Sequence, residues 1–113
     1  MGRNIRNIEY SKVLLLKDQV MYGEGQVVSK TIAQNNRHSL TLFAFDKDEE
    51  ISTHKSEGDA LVLVLEGVAE VTIDKEKYIL CENEAIVMPS NAPHAVYAKE
   101  KLKMLLTVSF PED

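Results

Sequence analysis

The sequence predicts an all-β fold, an antiparallel sandwich or barrel. Three observations carry this expectation. Short strand-like runs alternate with turns from residue 26 to the end, several runs alternate apolar and polar residues at period two, and no amphipathic helical pattern of any length follows residue 26.

Residues 26–34 bring Val27, Val28, Thr31 and Ile32 together, and Asn35-Asn36 breaks the run as turn-forming asparagines do. Residues 38–45 are rich in Leu, Thr and Phe on both faces, which predicts a strand covered on both sides, and residues 46–50 read as a charged, solvated loop. Residues 60–65 are apolar throughout and close at Glu66-Gly67, after which Ala69, Val71 and Ile73 alternate with polar residues. That pattern predicts a tight hairpin at Glu66-Gly67. Asp74-Lys75-Glu76 marks a further turn, residues 77–80 and 85–88 two more strands, and residues 89–93 an irregular loop into Ala95-Val96-Tyr97. Leu102, Met104, Leu106, Val108 and Phe110 form the apolar face of a closing strand. The count comes to eight or so strands. Residues 1–25 are an N-terminal extension, a short strand or helical turn expected to pack on the barrel or on a dimer partner, and residues 26–113 are the barrel domain.

The chain has 113 residues, enough for one core and not for two. Eighteen acidic against thirteen basic residues leave a net charge of −5, and no Lys/Arg cluster stands clear of acids, so a nucleic-acid partner is not expected. The longest apolar runs, at 13–16 and 60–65, fall far short of the about 20 residues that span a bilayer. The expectation is a soluble cytoplasmic protein without a membrane partner. Cys81 is the single cysteine, which excludes an internal disulfide and a Cys-rich zinc site.

Two histidines forty positions apart attract the functional question: His54 in Ser52-Thr53-His54-Lys55-Ser56 and His94 in Pro89-Ser90-Asn91-Ala92-Pro93-His94. The spacing of the punctuation around them resembles the cupins, in particular the small, single-domain, conserved-barrel (RmlC-like) type. The first cupin motif, G-x5-H-x-H-x3-E-x6-G, lays Asp48, His54, Ser56, Ala60 and Gly67 on its fixed places, with His54 and Gly67 matching. The second, G-x5-P-x-G-x2-H-x3-N, lays Asn83, Pro89, Asn91, His94 and Ala98 on its places, with Pro89 and His94 matching. The resemblance covers residues 26–110. It implies a cupin-type double-stranded β-helix, a jelly-roll barrel, with both histidines on its inner wall.

The departures bear on chemistry. In metal-dependent cupins two His and a Glu of the first motif and the His of the second hold one divalent ion; here Ser56 and Ala60 stand in two of those four places. A weakly held Mn, Fe, Ni, Cu or Zn ion on His54 and His94 is the metal site the resemblance leaves, with His38 a third imidazole if its face is the inner one. Glu57 and Asp59 have the wrong parity on a strand running through 54, 56, 60 and 62 unless Gly58 forms a bulge. Asn91 suits the left-handed conformation of the motif's glycine, and Lys75 at its hairpin tip adopts it at some cost.

Three functional classes remain open from sequence. In the first, the barrel binds a small molecule, with His54, Ser56, Met88, His94 and Met104 lining the ligand site beside Val62 or Leu63 and Leu106. In the second, a divalent metal on the two histidines serves an oxygenase, isomerase or lyase acting on a small oxygen-bearing substrate. In the third, side chains fill the barrel and its surface does the work. No residue is assigned a catalytic role. A homodimer is expected because residues 26–34 form a strand that needs an edge to join.

Overall fold

A computed structural model describes residues 4–111. Period-two alternation along the chain becomes nine strands among these residues: β1 (Val27–Gln34), β2 (His38–Phe45), β3 (Glu50–His54), β4 (Asp59–Glu66), β5 (Ala69–Ile73), β6 (Glu76–Leu80), β7 (Ala85–Met88), β8 (His94–Ala98) and β9 (Leu102–Ser109). They form two antiparallel sheets, ordered β1-β2-β9-β4-β7 and β3-β8-β5-β6. The inner faces meet in one core. Phe45, Val62, Val64, Met88, Leu102 and Met104 come from the first sheet, and Val71, Leu80, Val96 and Ala98 from the second. This is the jelly-roll architecture expected.

β2 is apolar on both faces for a reason visible in the packing. Phe43 and Phe45 point into the core, while Leu42 and Ala44 point outward into a second apolar layer with Ile32 and Val20. Residues preceding β1 supply the cover: Ile5, Ile8, Leu16 and Tyr22 lie on that outer face, with one short 3-10 helix at Leu16–Gln19. Lys103, buried on the same face, clamps the segment by donating from Nζ to the Lys17 carbonyl at 2.6 Å. Its ammonium also sits 4.9 Å from the centre of the Tyr22 ring, an arrangement that favours a cation. The Tyr22 hydroxyl donates to Glu66 at 2.5 Å, and burial together with that carboxylate pushes its pKa up.

Four expectations need correction. Glu50–His54 is a strand, β3, where residues 46–50 read as a loop and no separate strand was expected before the one through 54. No single strand runs through 54 to 62: β3 ends at His54 in one sheet, and β4 begins at Asp59 in the other. Glu66-Gly67 is not a hairpin, because β4 pairs with β7 and β9 whereas β5 pairs with β6 and β8. The chain changes sheets there through Gly67, at φ +89°, where an added Cβ would fall 1.8 Å from the Lys101 carbonyl oxygen. At the β5–β6 turn the left-handed residue is Asp74 (φ 55°) and not Lys75.

β1 finds its edge on β2 within the same chain, and its other side receives the Arg6 amide at the Ile32 carbonyl, 2.8 Å away. Among the described residues no helix is long and apolar enough to cross a membrane.

Candidate functional site: a pair of converging imidazoles

His94 opens β8, a strand paired on both sides, so its position is dictated by two neighbours. It lies opposite Ile73 of β5 and opposite His54 of β3. The loop before it is tethered on several sides: the Asn91 amide donates to the Ser56 carbonyl at 2.7 Å, the Ser90 amide to Asp59 Oδ1 at 2.8 Å, and the Asp74 amide to the Pro93 carbonyl at 2.8 Å. Asn91 makes its turn with φ 63°, as its place in the motif anticipated.

His54 reaches the same face by a different route. Ile51 opposes Val96 and packs on the core, and regular alternation from Ile51 would turn residue 54 away from it. One extra residue between Ile51 and His54, a β-bulge, reverses the parity and sets His54 directly across from His94. At the start of β3 the Asp48 amide donates to the Ala98 carbonyl at 2.8 Å, and Asp48 Oδ1 accepts from the Tyr97 hydroxyl at 2.5 Å, which tie β3 to β8.

The rings meet edge-to-face with centroids 4.3 Å apart and Nε2 atoms 3.1 Å apart. His94 is 2% exposed, whereas His54 is open to solvent. Each Nδ1 faces a backbone carbonyl, Ser52 at 2.9 Å for His54 and Ala92 at 3.1 Å for His94. A carbonyl only accepts, so this geometry favours the tautomer with the proton on Nδ1 of each ring, which leaves Nε2 as the lone-pair side. In that tautomer two acceptors face one another across 3.1 Å. Burial holds the His94 imidazole below the usual histidine range, repulsion from His54 adds to this, and the hydrogen bond to Ala92 partly opposes it.

This arrangement accommodates a cation. Nitrogen donors 3.1 Å apart, each about 2.0–2.1 Å from a divalent ion, subtend about 95–100° at the metal, between octahedral and tetrahedral values. Carbonyls holding both Nδ1 protons are the outer partners that metal-ligating histidines use to fix their tautomer. The protein's own donor set stops at two: no group of three His, Cys, Asp or Glu suited to a metal occurs among the described residues.

The remaining candidates lie elsewhere. His38 faces outward, on the face of β2 shared with Leu40 and Leu42, where its Nε2 is 3.3 Å from the Asn35 amide nitrogen. It is no third imidazole. Ser56 Oγ accepts from the Gly58 amide at 3.2 Å, so the hydroxyl shapes the β3–β4 turn while its carbonyl holds the His94 loop. Asp59 is engaged with Ser90 and does not join the pair. Met88 and Met104 are fully buried in the packed core. Sequence reasoning missed the significance of Asp48 and Asn83: both occupy glycine places of the motifs and both are left-handed, at φ 70° and 69°. Asp and Asn are the non-glycine residues that tolerate this conformation best, and that was a readable signal.

A two-sheet jelly roll with an imidazole pair on its inner wall defines the cupin class. The cupin domain family matches residues 41–110, well over half of the chain, and the protein belongs to that family. It is similar to a conserved protein of unknown function from Streptococcus pyogenes, 46% identical, with 99% of this chain and 98% of that one covered and a TM-score of 0.96. A cupin superfamily protein from Desulfitobacterium hafniense is 30% identical over 96% of this chain and 100% of that one, with a TM-score of 0.92. KdgF from a Halomonas species shares the fold at 22% identity, covering 89% and 97% of the two chains, with a TM-score of 0.72. No curated protein sequence matches the chain.

Proposed function

We propose that this cupin binds a small molecule at the His54–His94 pair, the two Nε2 atoms together holding one labile divalent ion that anchors the ligand. The observation that carries this reading is the convergence of two Nε2 lone pairs at 3.1 Å, each set by a carbonyl on the opposite ring nitrogen. A neutral pair without a shared cation or donor keeps two acceptors in contact, a cost that binding relieves. A bound divalent ion supplies Lewis acidity toward a ligand oxygen. His94, buried on a strand paired on both sides, contributes the fixed donor, and solvent-exposed His54 the accessible one. With two protein donors the remaining positions belong to water and ligand, so the ion exchanges readily. Met88 and Met104 are packed in the core and do not line an open chamber in this reading. The fold leaves the ligand's chemistry to the site, since its neighbours range from a protein of unknown function to KdgF.

The test is equilibrium dialysis of untagged protein against Ni²⁺. The wild type is expected to take up one ion per chain, and His54→Ala, an exposed position, to lose that uptake while unfolding at the same urea concentration. Equal uptake by the two proteins contradicts the proposal.

A further inference from the structure

We infer that the outer face of the β3-β8-β5-β6 sheet carries a second binding site, an open hollow fitted to the ring of a neutral sugar. It lies on the side of the sheet away from the His54–His94 pair and stands independently of the function proposed for that pair.

Alternation along the strands builds the hollow. In β8, His94, Val96 and Ala98 are buried on the inner face, so Ala95 and Tyr97 project outward. Ala95 stands opposite Thr72 of β5, and Thr72 opposite Lys77 of β6. Tyr97 stands between Glu50 of β3 and Glu70 of β5. Thr53 joins them from the irregular stretch that turns His54 inward. Together these side chains enclose about 290 Å³, at the small end of the about 300–1,000 Å³ usual for small-molecule sites. Ala95 is the cause of the dip, because its methyl group is the shortest side chain in the lining and longer ones surround it.

The lining is amphipathic. The Tyr97 hydroxyl is occupied, donating to Asp48 Oδ1 at 2.5 Å, so the residue offers the hollow its ring carbons, beside the Ala95 methyl. Around this apolar part stand groups of every hydrogen-bonding kind: the Thr53 and Thr72 hydroxyls, the Glu50 and Glu70 carboxylates and the Lys77 ammonium. The side chains of Thr53, Thr72 and Glu50 make no hydrogen bond or ion pair among the described residues. A sugar ring has the complementary build, a C–H face bordered by hydroxyls that each donate once and accept as well.

Charge selects the neutral class. Glu70 Oε1 lies 3.7 Å from Lys77 Nζ, and its Oε2 lies 3.6 Å from Lys99 Nζ. Glu50 and Glu70 against Lys77 and Lys99 sum to zero, and Asp48, outside the lining, is spent on the Tyr97 hydroxyl. An anion meets the unpaired Glu50, and a polycation meets the two lysines. A ligand hydroxyl meets neither repulsion and gives Glu50 a charge-assisted hydrogen bond.

The experiment follows backbone amides of ¹⁵N-labelled, untagged protein by NMR during titration with the methyl glycosides of glucose, mannose and galactose, and separately with putrescine and malonate. At least one glycoside is expected to shift Thr53, Thr72, Ala95 and Tyr97 together, with a dissociation constant on the order of 1–10 mM, as suits an open site with few contacts. Leu61 and Thr107, paired on the outer face of the other sheet, are expected not to move. Ala95→Leu, which fills the hollow, is expected to abolish the shifts. Glu50→Gln, on an exposed side chain, is expected to weaken binding about threefold or more while unfolding at the same urea concentration. Shifts that persist in Ala95→Leu, or affinity unchanged in Glu50→Gln, overturn the site. Putrescine or malonate binding there more tightly than every glycoside overturns the neutral class. No shift of these amides with any of the three glycosides at about 50 mM, well above the expected dissociation constant, overturns the inference altogether.

Discussion

β8 and β3 contribute one histidine each to the same spot and hold them in opposite ways. β8 is paired on both sides, by β3 and β5, and its residues His94, Val96 and Ala98 are buried in succession on the inner face. β3 is the edge of its sheet, and of its five residues only Ile51 is even partly buried. One donor is built into the core, and the other is carried on a bulged strip at its margin. The contrast teaches where adjustment is available: β3 can shift at the margin of its sheet, whereas moving β8 would disturb the packing of both sheets.

If that contrast is right, truncation should cost very different amounts on the two strands. Val96→Ala is expected to lower unfolding free energy by about 1.5–3 kcal/mol, the value of a fully buried valine. Ile51→Ala, partly buried on an edge, is expected to cost about 1 kcal/mol or less, half of the low end of the about 2–5 kcal/mol that truncating a buried isoleucine costs. Urea unfolding of the two variants measures both, and equal losses would erase the distinction between the strands.

A smaller effect sharpens it through pH. The folded-state pKa of His94 is lowered, first by burial and then by His54. The unfolded chain therefore takes up a proton at higher pH than the folded one does. The associated stability is complete above about pH 6.5, the ordinary histidine value, and is lost as pH falls from there through the lowered pKa. His54→Ala removes the second cause, so its stability should fall less steeply across the same window, while burial keeps part of the slope. Urea midpoints between pH 8 and pH 5 check this, and identical slopes would show that the two rings do not feel one another.

Much of this architecture was legible because burial writes itself into alternation. β1, β2 and β9 repeat apolar residues that the core and the outer layer both use, and their limits were readable to within a residue or two. β3 was not, since Glu50, Ser52, Thr53 and His54 surround a single apolar residue and an edge strand has little to bury. The hairpin at Glu66-Gly67 was misread for a related reason: a glycine after a strand marks a sharp change of direction, and the partner strand is a long-range fact. His38 was ambiguous because β2 is apolar on both faces, so its sequence does not say which is inner. His54 and His94 were readable as partners, yet the bulge that aligns them and the carbonyls of Ser52 and Ala92 that fix their tautomers leave no mark in side-chain chemistry.

The central claim is that both Nε2 atoms are unprotonated and point at one another, and ring-nitrogen NMR tests it without any ligand. Long-range ¹H–¹⁵N correlation at pH 8, with His38→Gln to remove the third histidine, is expected to show both remaining rings with the proton on Nδ1. A ring carrying its proton on Nε2, donating to the other, would make the pair a closed structural hydrogen bond and contradict the account.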